Sequence, residues 1–378
     1  MTGTVDWLLD GAPGALRATD VIDQVCRHLR ADGVPIDRSA LFVQVLHPQF
    51  MAMSSYWLPD QPIAVKPAPY ALAAEDSYQN SPATLVMTSG SSVRRDLTAA
   101  PAPGEMAILA QLRAEGFTDY LILPLRFSRG DVHAISFATR RAGGFADADI
   151  ARLEAIVRPL ARIMEIMVLR RLGSTLLDTY VGRRSGERVL RGVIRPGDVE
   201  RIEAAILFTD LRGFTAFSNS HPPEQVIERV NAMFGCIVPA VDTEGGEVLK
   251  LIGDGLLAIF PFGDSPPGEV AAAALRAARA AIRALGTLTL EPPPRCGMAL
   301  HLGEVSYGNI GAGSRLDFTA IGPAVNLTAR LEPLTSRLQR PLVASAAFAA
   351  VIDAELEPLG SFELRGFGDA VPVYGLAA

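Results

Sequence analysis

The sequence predicts an α+β chain of two domains, the second built on a ferredoxin-like sheet, with a long helix between them. Three observations carry this. The chain has 378 residues, more than one compact domain of usual size holds. A charged heptad stretch interrupts it near residue 150, and beyond residue 200 apolar segments recur in the order β-α-β-β-α-β. The expected boundaries are 1–148, 149–200 and 201–378.

In the first domain, "TDVIDQVCRHLRADG" sets Val21, Ile22, Val25 and Leu29 at helical spacing behind a capping position, and Gly33 ends the helix. "SALFVQVL", "DYLILPLRF" and "VHAISFAT" read as strands, with "SRGD" as the hairpin turn between the last two. The Pro/Ser/Ala-rich stretch 59–104 reads as loop with pieces of structure.

In "FADADIARLEAIVRPLARIMEIMVLRRL", Leu153, Leu160 and Met167 recur seven apart, with Ile156 and Ile163 in the complementary positions. Such a seam serves either a helix packed on its own domain or a parallel signalling helix that dimerises. Its place at the domain junction favours the second, and Pro159 predicts a kink. "VGRRSGERVLRGVIRPGD" reads as a basic, glycine-rich link.

The second domain opens with a strand at Ala204–Thr209 and a helix at Pro223–Val238. A hairpin follows, "GEVLKLI" and "LLAIF" joined at Gly253–Gly255, then an alanine-rich helix at Glu269–Leu285. Strands around "CGMALHLGEV" and "RLDFTAI" lead to a helix from Ala324, and "SFELRGF" and "VPVYGL" close the chain as a strand pair.

Composition narrows the function. With 49% hydrophobic and 20% charged residues there is material for two cores. A net charge of −6 gives no electrostatic footprint for nucleic acid or an anionic membrane. Cys26, Cys236 and Cys296 match no metal or disulfide spacing and read as reduced thiols. The start lacks a signal-peptide pattern, and the most apolar long stretch, Ile150–Leu172, carries too many charges to span a bilayer. A cytoplasmic protein without a membrane span is expected.

Four stretches of the second domain carry chemistry. The strand "AAILFTDLRGFT" is apolar until it delivers Asp210. That acid reads as a helix cap or ion-pair partner, or as a Mg²⁺ ligand with the N–H groups of Gly213, Phe214 and Thr215 free for phosphate. Asp254 sits in the turn "IGDG", where Asp-Gly has a purely structural use. Lys250, inside an apolar strand four residues earlier, reads as a buried cation, which calls for a partner. "GEVSYGNIGAGS" is a glycine-rich turn without the lysine of a Walker loop. Asn326 and Arg330, four apart on one helix face, either face solvent or hold a sugar oxygen and a phosphate together. The histidines His28, His47, His133, His221 and His301 read as structural rather than as metal or haem ligands.

Taken in order, "FTDLRGFT", "KLIGDG", "HLGEVSYGNIG" and "DFTAIGPAVNLTARL" resemble the catalytic domain of class III nucleotidyl cyclases over Ile202–Gly375. The resemblance implies two divalent metals, Mg²⁺ or Mn²⁺, held by Asp210 and Asp254. It implies that Asn326 orients the ribose, Arg330 neutralises the phosphate, and Lys250 donates to the adenine ring. Counting back three from Gly322 puts the second base reader at Thr319, and leaves Asp317 as strand-edge support. Threonine there resembles the subgroup that includes bicarbonate-responsive cyclases. The implied activity is adenylate cyclase acting on ATP as a homodimer, with bicarbonate or another small molecule as effector. Guanylate cyclase of the same fold and a silent nucleotide-binding module are the competing readings. "GFTDYLILPLRFSRGDVHAISFATRRAGGFADADIARLEAI" resembles the last strands and exit helix of a GAF-type sensor domain.

Overall fold

The computed structural model describes residues 2–313, 315–352 and 356–376. The chain divides into two compact units, Met1–Leu176 and Leu177–Ala378.

The first unit runs α1 (Thr2–Leu9), α2 (Ala18–Ala31), β1 (Arg38–Gln44), β2 (Phe50–Trp57), β3 (Ala64–Pro69), a 3-10 turn (Tyr70–Ala74), α3 (Asp76–Gln79), α4 (Pro82–Ser89), β4 (Val93–Asp96), α5 (Ala107–Ala114), β5 (Asp119–Arg126) and β6 (Val132–Thr139), followed by α6 (Asp147–Tyr180), whose last turn belongs to the second unit. Its six strands form one sheet in the order β3-β2-β1-β6-β5-β4, with every pairing antiparallel. One sheet face packs on α2 and α6, and the other meets α4 and α5.

The predicted helix and three strands stand where the periodicity places them. The stretch 59–104, read as loop with pieces of structure, holds β3, α3, α4 and β4. Short elements dense in Pro, Ser and Ala carry too few apolar repeats for period reading to find them.

The heptad helix corrects one expectation. Leu153, Ile156, Leu160 and Ile163 are buried in the core of their own unit, with Met167 packed against it. The seam is therefore spent inside the domain. A different set, Ile166, Leu169, Leu176 and Tyr180, is exposed at 46%, 53%, 43% and 82%. With Gly173 these residues repeat at alternating steps of three and four, the spacing of a coiled-coil stripe.

The second unit runs α7 (Arg183–Leu190), β7 (Val199–Leu211), α8 (Phe214–Ser220), α9 (Pro223–Thr243), β8 (Glu247–Ile252), β9 (Gly255–Pro261), α10 (Pro267–Leu285), β10 (Cys296–Ala312), β11 (Arg315–Ile321), α11 (Pro323–Leu331), α12 (Leu334–Arg337), β12 (Leu342–Ser345), α13 (Ala346–Ala349), β13 (Leu356–Phe362) and β14 (Val371–Leu376). Its sheet order is β13-β14-β12-β10-β7-β9-β8, with β11 on β10. The inner run β10-β7-β9-β8 is the split β-α-β arrangement of a ferredoxin-like sheet. Helices α9 and α10 cover one face through Met233, Ile237, Ala274 and Ala278.

The opposite face is not bare. Residues read as a link form α7, and Val181, Val189 and Val193 pack with Ile206, Ile259 and Phe318. A buried polar cluster fastens this helix to the sheet. The Ser185 backbone N–H and hydroxyl donate to Glu247 Oε1 at 2.8 and 2.7 Å. The Tyr307 hydroxyl donates to Glu247 Oε2 at 2.7 Å. "GEVSYGNIGAGS" likewise turns out to be strand as far as Ala312, while Ser314 lies outside the described residues. Gly308 is needed there: its φ is +156°, and an added Cβ would fall 2.1 Å from the Asp198 carbonyl oxygen.

His301 on β10 is buried, with Nδ1 2.7 Å from Ser345 Oγ. Burial depresses its pKa to about 4, below the unfolded value of about 6.5. The folded state thus binds fewer protons than the unfolded one between those values. Stability fully present above pH ~6.5 is lost as pH falls towards 4, by up to about 3 kcal/mol. His301→Asn is expected to flatten that acid slope in urea unfolding followed from pH 7 to pH 4.5. Equal slopes would contradict the assignment.

Candidate active site

Strand β7 lies between β10 and β9 and is apolar along Ala204–Leu207, which buries it on both faces. It delivers Asp210 opposite Gly297 of β10. Gly255 opens β9 beside it: a Cβ there would lie 2.7 Å from the Thr209 carbonyl oxygen and 3.2 Å from Asp210 Oδ1. Only glycine lets the β8–β9 turn come this close, and the residue before it is Asp254. The two acids, 44 positions apart, are thereby brought together.

Asp210 is pushed up to about 7 by burial first, then by the charge of Asp254 and that of Glu332. Two carboxylates crowded in this way form a place that a divalent cation relieves. Glu332 was not apparent from the sequence. It is buried, its carboxyl is pushed up chiefly by that burial, and Thr335 Oγ1 donates to it at 3.3 Å. No group of three or more Asp, Glu, His or Cys side chains forms a metal cage among the described residues. A site of two carboxylates suits Mg²⁺, which keeps several waters or phosphate oxygens.

After Leu211 the chain turns through Gly213, whose φ of +70° is the left-handed region, into α8. Phe214 packs at the edge of the core and Thr215 is exposed. The first N–H groups of a helix have no partner within it, so this turn presents donors near the acid pair.

Lys250 departs from its reading as a buried cation. Its side chain is 43% exposed, and Nζ donates to Asp317 Oδ2 at 2.5 Å. Asp317 is therefore more than strand-edge support. It stands two residues from Thr319, so both side chains leave the same face of β11. Thr319 is buried opposite Gly308.

Pro323 starts α11 immediately after Gly322, as proline does in a first helical turn. Ala324, Thr328 and Leu331 face inward, leaving Asn326 and Arg330 exposed on the outer face. Arg330 has no ion-pair or hydrogen-bond partner among the described residues.

The structure therefore brings Asp210 to Asp254 and Lys250 to Asp317. It does not join the acid pair to Lys250, Thr319, Asn326 or Arg330 by any hydrogen bond among the described residues. Two concavities stand out, one in each unit, and none of these residues lines either.

Residues 199–376 match the family model for the adenylate and guanylate cyclase catalytic domain. An adenylate cyclase of Anabaena cylindrica is 34% identical over 163 residues, covering 38% of this chain and 31% of that protein. Adenylate cyclase 1 of Rhizobium meliloti is 29% identical over 181 residues, covering 46% of this chain and 27% of that one. The solved structure of the adenylyl cyclase CyaB from P. aeruginosa is 25% identical with a TM-score of 0.44, covering 48% of this chain and 96% of that chain. The chain spans about a third or less of the length of the two curated relatives. No described helix is long and apolar enough to cross a membrane.

Proposed function

We propose that the chain is an adenylate cyclase, converting ATP to 3′,5′-cyclic AMP and pyrophosphate, with two Mg²⁺ or Mn²⁺ ions held by Asp210 and Asp254. The adjacency of those two carboxylates, on the motifs the family uses, is the observation that carries it. Ions bound there supply charge neutralisation at the α-phosphate and a lowered pKa for the ribose 3′-hydroxyl. The 3′-oxygen bonds to the α-phosphorus as the bond from that phosphorus to the departing pyrophosphate breaks, and the hydroxyl proton passes to solvent. Asn326 orients the ribose, and Arg330 takes up charge on the phosphate. N–H groups at Gly213, Phe214 and Thr215 hold phosphate oxygens.

Lys250 and Thr319 read the base. Asp317 holds the Lys250 ammonium in place, and the Thr319 hydroxyl can accept from the adenine amine. A hydroxyl also donates, which is the observation favouring GTP as a second reading.

The exposure of Asn326 and Arg330, which make no hydrogen bond to the acid pair among the described residues, supports a site completed by a second protomer. A homodimer would then have two equivalent sites. The exposed stripe Ile166–Tyr180 on α6 supports that pairing. Residues 1–148 would serve as a GAF-like sensor that gates turnover in the cytoplasm.

Purified protein incubated with ATP or GTP and Mn²⁺ is expected to yield cyclic AMP from ATP, identified by mass spectrometry. Cyclic GMP alone would establish the second reading, and no cyclic product from either nucleotide would leave a silent nucleotide-binding module. Lys250→Glu with Thr319→Cys is expected to move the ATP:GTP ratio of kcat/KM at least about tenfold towards GTP. An unchanged ratio would contradict the base readers. A flat bicarbonate titration in the same assay would remove bicarbonate as effector.

A further inference from the structure

The sheet of the first unit is packed unevenly. One face meets α2 and α6 through a large apolar cluster that includes Trp57, Phe137 and Leu153. The other face is filled over β5 and β6 by Val86, Leu109, Leu112 and Phe117. Towards β1 and β2 this filling gives out, and a cavity of about 220 Å³ opens beneath the segment 72–87.

Its chemistry is one-sided. Phe42 pairs with Ser54, and Ala40 with Tyr56, so Phe42, Ser54 and Tyr56 rise from one sheet face. Tyr120 and Tyr78 add two more rings to the lining, and no acidic residue lines it. Arg38 is its single charged group. The guanidinium stands 5.4 Å over the Tyr56 ring and has no carboxylate partner among the described residues. The hydroxyls of Ser54 and Tyr78 are likewise without a hydrogen-bond partner there. Lys66, 5.5 Å from the same Tyr56 ring, adds a second positive charge nearby.

We infer that this cavity binds a small planar aromatic carboxylate, its anionic group on Arg38 and its ring among Phe42, Tyr56 and Tyr78. A guanidinium fork matches a carboxylate with two parallel hydrogen bonds. Aromatic walls favour a flat ring through offset or edge contacts. The volume lies below the roughly 300–1,000 Å³ of sites for drug-sized ligands, so it suits a single ring system rather than a nucleotide. The inference is independent of the catalytic reading, because binding is measured without turnover.

The test is calorimetric titration of the full chain with benzoate and with indole-3-carboxylate, alongside benzamide as the neutral isostere. At least one acid is expected to saturate with one-to-one stoichiometry and a Kd of about 1 mM or tighter. Benzamide should bind at least about tenfold more weakly than benzoate, because it cannot form the charged pair. Arg38→Gln should weaken the acid by a similar factor while leaving the circular dichroism spectrum and melting midpoint in place. Ala52→Leu, which fills the floor, should abolish binding. Failure of both acids to saturate overturns the proposal, as does equal binding of acid and amide or unchanged affinity in Arg38→Gln. If Arg38→Gln does not fold, the comparison of benzoate with benzamide on the unaltered chain decides.

Discussion

Asp210→Asn is expected to lower kcat/KM by about three orders of magnitude or more with the fold intact. Asparagine keeps the volume at the end of β7 but removes the charge that a divalent ion needs. A metal that stabilises transition-state charge contributes several kcal/mol, and each 1.36 kcal/mol is about tenfold in rate. The structure separates this loss from misfolding. Burial and the charges of Asp254 and Glu332 already push the Asp210 carboxyl up to about 7, above the unfolded range near 3.9. With its folded pKa raised, the group favours folding below the unfolded pKa, and that contribution is lost as pH rises towards 7. Without divalent ions the asparagine variant should therefore be at least as stable as the parent above pH 7. Adding Mn²⁺ should raise the melting midpoint of the parent and leave the variant unmoved. Retained turnover in Asp210→Asn would mean that the metal assignment is wrong.

Arg330→Ala is expected to cost about 10³ in kcat, the scale of arginines that meet charge developing on a transferring phosphoryl group. KM should move far less, since the contact strengthens in the transition state. Arg330→Lys should recover little, because a point charge replaces a planar fork. Stability should be unaffected: the side chain lies on the exposed face of α11, away from buried Ala324, Thr328 and Leu331. Mixing the two dead variants tests the shared site. If the acid pair and Arg330 come from different protomers, one site of each mixed dimer is whole, and about a quarter of the parent activity returns at random assortment. No recovery in a mixture shown to exchange subunits would place all the groups on one chain.

Much of the second domain was legible because its signals are local. An apolar run ends on Asp210, an Asp-Gly turn joins two strands, and Gly322-Pro323 stops one element and starts the next. The misreadings have a common origin. Lys250 reads as a buried cation because its neighbours are apolar, yet β8 is the last strand on its side of the sheet. An edge strand shows a side to solvent however apolar its sequence. "ARLEPL" carries no local sign that Glu332 folds inward towards Asp210. The link "VGRRSGERVLRGV" is polar in sequence, but Ser185 and three valines pack on the sheet and Arg188 lies over the Tyr307 and Phe318 rings.

The sequence by itself determined the order of the main strands and helices in the ferredoxin-like core of the second unit, and the residue types proposed for nucleotide chemistry. These follow from periodicity and turn chemistry acting over a few residues. The tertiary structure alone decided that Lys250 meets Asp317, 67 positions away, and that Glu332 lies near the acid pair. It also decided which stripe of α6 is buried and which is left open, and where the first sheet leaves a cavity. Periodicity states that a helix has an apolar face. What covers that face depends on long-range pairing and on how completely neighbouring side chains fill the space.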